Sequence, residues 1–215
     1  MNLNNLFEIQ DKLDKRIVKE KGLEGQDLLD QKILALQVEL GELAQNWRGF
    51  KFWSKDQEPR TYEKCHVCQG HGETVVPAFP DFEEMEQDMC PVCEGDGKSG
   101  KNPLLEEYVD CLHFILSIGL ETLRHGQLEI HLIQIYLDGM RDVPSFAVGN
   151  KKEIVSVFRE LFKITSEIGN SDFKLKELIG YFDTLGGLLG FTREQIETAY
   201  MQKNKINHAR QENGY

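Results

Sequence analysis

No stretch of the 215-residue chain approaches the run of about 18 apolar residues that a membrane-spanning helix needs. Basic residues are scarce: 25 Lys and Arg stand against 36 Asp and Glu, a formal charge of −11. A nucleic-acid partner selects clustered Lys and Arg for its phosphate backbone, so that class of partner is not expected. A nucleotide remains open, because metal ions can hold its phosphates. The first residues, MNLNNLFEIQDKLDKRIVKEKG, lack the basic-then-apolar order of a secretory leader, and a cytoplasmic protein is expected. Period-two alternation is almost absent, which predicts few strands. Proline is rare, and four of the six prolines fall within residues 55–102.

What the chain does have is helical periodicity. Apolar residues recur every three or four positions over about 3–20, 28–48, 103–124, 127–138, 151–168, 174–188 and 192–211. Gly22 and Gly25 break the first two segments, and DVPSFAVGN (142–150) separates the middle from the C-terminal part. Thr192 and Gln195 have the spacing of a capping box before the last helix. The expected fold class is all-α: a helical bundle formed by 1–54 and 103–215, with 55–102 inserted as a small module.

The segment 55–102 differs in every respect. It carries eleven acids against five bases and no convincing helical period. CHVCQGHG (65–72) is echoed by CPVCEGDG (90–97), each a C-x-x-C-x-G-x-G unit. One C-x-x-C turn points two thiolates at an ion, and two turns complete a tetrahedron, so Cys65, Cys68, Cys90 and Cys93 are candidate Zn2+ ligands. The glycines permit the positive-φ turns that aim backbone N–H groups at sulfur. The doubled unit resembles half of the cysteine-rich domain of DnaJ chaperones. A closed four-thiolate site leaves no position for substrate, so a structural role is expected, with redox chemistry as the alternative. Cys111 lies within an apolar helix and reads as core.

Two helices each carry an acid pair three residues apart. LQVELGELAQNW (36–47) sets Glu39 and Glu42 beside the stripe Leu36, Leu40, Leu43 and Trp47. NPLLEEYVDCLHFILSIG (102–119) sets Glu107 and Asp110 on a helix that is apolar nearly all round, so both acids are expected inside the protein. Packed side by side, the helices would crowd four poorly solvated carboxylates, which is costly unless they are protonated or neutralised. Oxygen-only ligands suit hard cations, and Mg2+ in particular shares its shell with substrate phosphates. Di-iron bundles compete physically, but they need two E-x-x-H pairs, and His113 follows an Asp with no second pair to match.

Two flanks carry further candidates. NWRGFKFWSK (46–55) mixes aromatics with cations: either a cap on the bundle or a surface for a nucleobase. In AYMQKNKINHARQENGY (199–215), Lys203, Asn207 and Arg210 share a helix face beside Tyr200, an arrangement suited to a polyphosphate and a sugar or base edge.

Together, LQVELGELAQNWRGFKFWS, LLEEYVDCLHFILSIG and AYMQKNKINHARQENGY resemble the dimeric all-α dUTPases. These belong to the wider all-α nucleotide pyrophosphohydrolases, which include MazG. The cysteine insert is not a general feature of that family. The resemblance implies a homodimer that hydrolyses dUTP to dUMP and pyrophosphate. It assigns Glu39, Glu42, Glu107 and Asp110 to a cluster of two or three Mg2+ ions. It assigns Lys203 and Arg210 to phosphate, Asn207 and Tyr215 to deoxyribose and phosphates, and Gln10 and Trp53 to the uracil. Asp14 stands where family members are expected to carry Asn, and a carboxylate only accepts hydrogen bonds. The implied mechanism is in-line attack on the β-phosphorus by a water that Glu42 or a neighbouring acid deprotonates. A relative specific for another deoxynucleotide such as dCTP, and a non-catalytic zinc-bearing interaction protein, are the alternatives.

Overall fold

The computed structural model describes residues 1–77, 85–124, 134, 150–168 and 172–214. Among them the elements run α1 (Leu3–Glu20), α2 (Leu29–Trp47), β1 (Glu73–Pro77), β2 (Met85–Met89), α3 (Pro103–Arg124), α4 (Lys151–Glu167), α5 (Asp172–Leu188) and α6 (Arg193–Glu212). Six of the helices read from periodicity are therefore present to within two residues at each end. The helix expected over 127–138 lies outside the described residues, except for Gln134, which is helical.

Local chemistry sets the helix ends. Asn2 caps α1, its side chain accepting from the Asn5 N–H at 3.2 Å. α2 stops where Arg48 turns left-handed at φ 63° and its N–H closes on the Ala44 carbonyl. Thr192 and Gln195 form the expected reciprocal capping box of α6.

The middle of the bundle is α3. It packs against α1, α2, α5 and α6, while α4 covers α2 and α5. Its buried residues (Leu104, Tyr108, Val109, Cys111, Leu112, Ile115, Leu116 and Ile118) point in all directions, as a helix surrounded by others requires. Tyr108 stacks on Phe182 at 4.2 Å and donates its hydroxyl to the Phe182 carbonyl. At Gly119 an added Cβ would meet the Phe7 ring at 2.7 Å. This glycine lets α1 lie close along α3.

Both strands fall in the cysteine segment. They pair antiparallel, with Val75 opposite Gln87, and among the described residues they pack against no helix. The segment is rooted in the bundle by backbone bonds from Arg60 to Asn46 and from Leu104 to Arg60.

Candidate active site

Glu39 sits at the border of the buried α2 stripe and is half-buried, whereas Glu42 is exposed. Glu107 and Asp110 occupy the facing edge of α3, also half-buried, so the acids of α3 line the rim of the core and not its interior. One carboxylate oxygen from each of Glu39, Glu107 and Asp110 lies within 4.8 Å of the others, and these three could hold a metal ion. Glu42 is outside that group, but its charge bears on both Glu39 and Glu107.

Crowding perturbs the acids. Burial, followed by repulsion from Asp110 and Glu42, pushes Glu39 up to about 7. Burial, followed by Glu42, Asp110 and Glu39, does the same to Glu107. Burial also raises Asp110, against the pull of a hydrogen bond from Lys203. Asn46 Nδ2 donates to Glu107 Oε1 at 3.2 Å. The Lys203 ammonium donates to Asp110 Oδ2 at 2.7 Å and Glu106 Oε1 at 2.9 Å. Burial alone would lower the Lys203 pKa, but these hydrogen bonds and charges raise it.

Beside the acids, among α1, α2, α3 and α6, opens a cavity of about 370 Å3. Of the residues singled out by sequence it brings together Gln10, Asp14, Glu39, Asp110, Asn207 and Arg210. Arg210 Nη1 donates to Asn207 Oδ1 at 3.4 Å, so these two act as a pair on α6. Lys203 adjoins the cavity through Asp110. Trp53 does not line it: the ring is 66% exposed on the turn after α2, edge-on to Phe50 and Phe52. Trp47 of the same aromatic stretch is buried against Phe158 and caps the bundle. Tyr215 lies outside the described residues.

The cavity wall also holds residues that motif reading passes over. Gln10 is 3% exposed, and its Nε2 donates to Asp14 Oδ1 while its Oε1 faces His113 Nδ1 and the Tyr200 hydroxyl. Asp14 Oδ2 takes the Ser117 hydroxyl and the Lys32 ammonium, which in turn reaches Glu121. His113 stacks on Tyr200 at 4.2 Å. Burial, and then the Lys203 charge, lowers its pKa to about 3, so it is neutral. Asp110, His113 and Ser117 follow one another at helical spacing along α3, a signal available in the sequence once Asp110 is chosen.

The cysteines form a separate cluster. Ligand sulfurs of Cys65, Cys68, Cys90 and Cys93 all lie within 4.8 Å of one another, with pairs at 3.6 and 3.9 Å. Zn–S bonds of about 2.3 Å in a tetrahedron put sulfurs ~3.8 Å apart, so the set has the size of a zinc site. The two units are related by exchange: Cys65 N–H donates to the Gly97 carbonyl and Cys90 N–H to the Gly72 carbonyl, both at 2.8 Å. The Gly72 and Gly97 amides donate to Cys68 and Cys93 sulfur at 3.3 Å. Gly72 sits at φ +79°, where a Cβ would strike the Gly95 carbonyl oxygen at 2.4 Å, so glycine is required there.

A search of curated proteins finds no match. A family model described as dUTPase does match, over residues 2–66 and 94–215. That span takes in all four acids of α2 and α3, the cations of α6 and the α1 side chains of the cavity, and leaves out only the middle of the cysteine segment. On that match, and on the helical bundle that carries it, the chain belongs to the all-α dUTPase family and is a dUTP diphosphatase.

Proposed function

We propose that the protein is a cytoplasmic, Mg2+-dependent homodimer that converts dUTP to dUMP and pyrophosphate, clearing dUTP from the nucleotide pool and supplying dUMP. The observation that carries this reading is the convergence of Glu39, Glu107 and Asp110 oxygens at the edge of the cavity. The donor set fits the ion: the oxygens are hard and close, and burial, then repulsion from neighbouring acids, pushes two of them to about 7, a cost that a cation would offset. Glu42 completes the set from the exposed side of α2. Mg2+ bound there would offset triphosphate charge as it develops in the transition state.

The protein's own groups divide the remaining work. The exposed Glu42 carboxylate takes a proton from the attacking water, with Glu39 adjacent. The water oxygen bonds to the β-phosphorus, the bond to the bridging α–β oxygen breaks, and dUMP leaves with that oxygen. Lys203 and Arg210 donate to phosphate oxygens, and Asn207 addresses the deoxyribose. Gln10 and Asp14 line the base end, to which Trp53 is also assigned, and Tyr215 is assigned with Asn207 to the deoxyribose and phosphates. The exposed Leu34 and Val38, one turn apart on α2, support a subunit interface. Residues 55–102 form a module inserted into a catalytic unit made of 1–54 and 103–215, held by one structural Zn2+.

Pyrophosphate release across the deoxynucleoside triphosphates, with Mg2+ and with EDTA, tests the reading. dUTP turnover that requires Mg2+ is expected. Faster turnover of dCTP, or undiminished activity in EDTA, would sink it. Sedimentation at micromolar concentration tests the dimer.

A further inference from the structure

Asn46 stands four positions beyond Glu42 and seven beyond Glu39, so the three share one face of α2. Its Nδ2 donates to Glu107 Oε1 at 3.2 Å, joining the last turn of α2 to the start of α3. The last turn of a helix is normally its loosest, because its carbonyls lack intrahelical partners. Here Asn46 is held from two sides. Trp47, the next residue, is 4% exposed and packs on Phe158. The Asn46 carbonyl accepts the Arg60 N–H at 2.9 Å, and the Arg60 carbonyl accepts the N–H of Leu104, the second residue of α3, also at 2.9 Å. One residue thus satisfies an orphan acceptor at the end of one acid-bearing helix and an orphan donor at the start of the other. It ties the two helices together within one turn of Glu107.

Glu107 needs such a hold. It is half-buried, and one of its oxygens lies within 4.8 Å of oxygens from Glu39 and Asp110. A carboxylate offers about four acceptor sites, so it can take the amide and a cation at once. A glutamate side chain also has several free torsions, and a bond at its head restricts them. The amide differs from the Lys203 ammonium on Asp110 in one respect that matters: it carries no charge to oppose an incoming cation.

We propose that Asn46 is a positioning residue for the divalent cation: held by Trp47 and by the Arg60 peptide, it aims Glu107 at the point where Glu39 and Asp110 converge. The inference rests on the metal reading of the proposed function. It adds a residue outside the four acids, and it gives the chain that leads into the cysteine segment a task at the acid cluster.

The test is Mn2+ binding to the zinc-replete, nucleotide-free chain, followed by calorimetry. Asn46→Leu keeps the bulk of the side chain without the donor. Its Mn2+ affinity should fall about 10-fold or more, the usual cost of removing the partner of a metal-ligating group. The Mg2+ concentration that half-saturates turnover should rise by a like factor. Excess Mg2+ should restore turnover, which it cannot do for a chain that has misfolded. Arg60→Pro deletes the N–H that holds Asn46 and keeps the carbonyl that holds Leu104. Arg60→Ala keeps both and loses the same side chain, so the proline variant should bind Mn2+ more weakly than the alanine variant. Before any metal is added, one proton of the Asn46 NH2 should resonate downfield, and Glu107→Ala should abolish that shift. Equal Mn2+ affinity in the wild type and Asn46→Leu overturns the proposal, whichever nucleotide is the substrate. So does an Asn46 resonance indifferent to Glu107→Ala. A wild type that binds no Mn2+ overturns the metal reading and the proposal together, whereas one that binds Mn2+ and spares dUTP defeats the functional reading alone.

Discussion

Lys203 Nζ lies 2.7 Å from Asp110 Oδ2 and 2.9 Å from Glu106 Oε1, so a cation from α6 neutralises two acids of α3 next to where three carboxylates converge. The same ammonium cannot serve the acids and a triphosphate in full at once. In the structure it is committed to the acids; on the proposed function, divalent ions on the acids would free it for phosphate. Lys203→Met should therefore lower the melting temperature in EDTA, because Asp110 is left half-buried without its cation. Adding Mg2+ should recover more stability in the variant than in the wild type. Equal recovery in thermal unfolding of the two would show that lysine and ion do not share this role.

The raised acids make stability depend on pH in a direction opposite to that of a paired carboxylate. Glu39 and Glu107 titrate near 7 in the folded chain and near 4.5 when unfolded. Between those values the folded state binds more protons, so stability is fully present below about pH 4.5 and is lost as pH rises through 7. In EDTA, the melting temperature should fall between pH 5 and pH 7.5 on account of these groups. Saturating Mg2+ should flatten the fall by favouring the ionised forms. A metal-free profile that rises over the same interval would contradict the crowding.

Glu42 is exposed, so its removal should cost chemistry and not stability. Glu42→Gln should reduce kcat by about 10²–10⁴-fold, the range of a lost general base. It should also let Glu39 and Glu107 ionise at lower pH, since Glu42 is among the charges raising both. Circular dichroism should be unchanged. A variant with near-wild-type kcat would move the base to another acid.

Much of this was legible because the helices are amphipathic and the site is written in pairs. Glu39 and Glu42, and Glu107 and Asp110, were picked out as candidates by spacing, of which Glu39, Glu107 and Asp110 converge and Glu42 stays outside the group, and the Cys65 and Cys90 units by repetition. The wall of the cavity did not. Gln10 and Asp14 were read as facing a base, but each spends hydrogen bonds on the other and on α3 and α6. His113, Ser117 and Lys32 belong to no motif; they become a chain only when α1, α2 and α3 pack together. Glu106 escaped notice because an acid in the first turn of a helix already has a reason to be there. The exposure of Trp53 could not be read from an aromatic stretch in which Trp47, six residues earlier, is buried.

The cysteine segment provides the last prediction. Among its described residues the buried hydrophobic cluster is Cys65, Cys68 and Cys90 with Cys93 packed against them, so what holds these residues together is sulfur and not hydrocarbon. The strands touch each other and no described helix. A segment so built folds on metal. The chain should carry one zinc ion, and Cys65→Ser should reduce that toward none. In the variant, amides of 61–77 and 85–101 should exchange hydrogen at rates near those of an unfolded chain. Those of α2 and α3 should stay protected, because the backbone bonds that root the segment, Arg60 to Asn46 and Leu104 to Arg60, lie on the bundle side of the sulfurs. If α2 and α3 lose protection as well, the segment is part of the catalytic bundle's own stability and not a module set into it. If the segment stays protected without zinc, something other than the ion holds its two halves together.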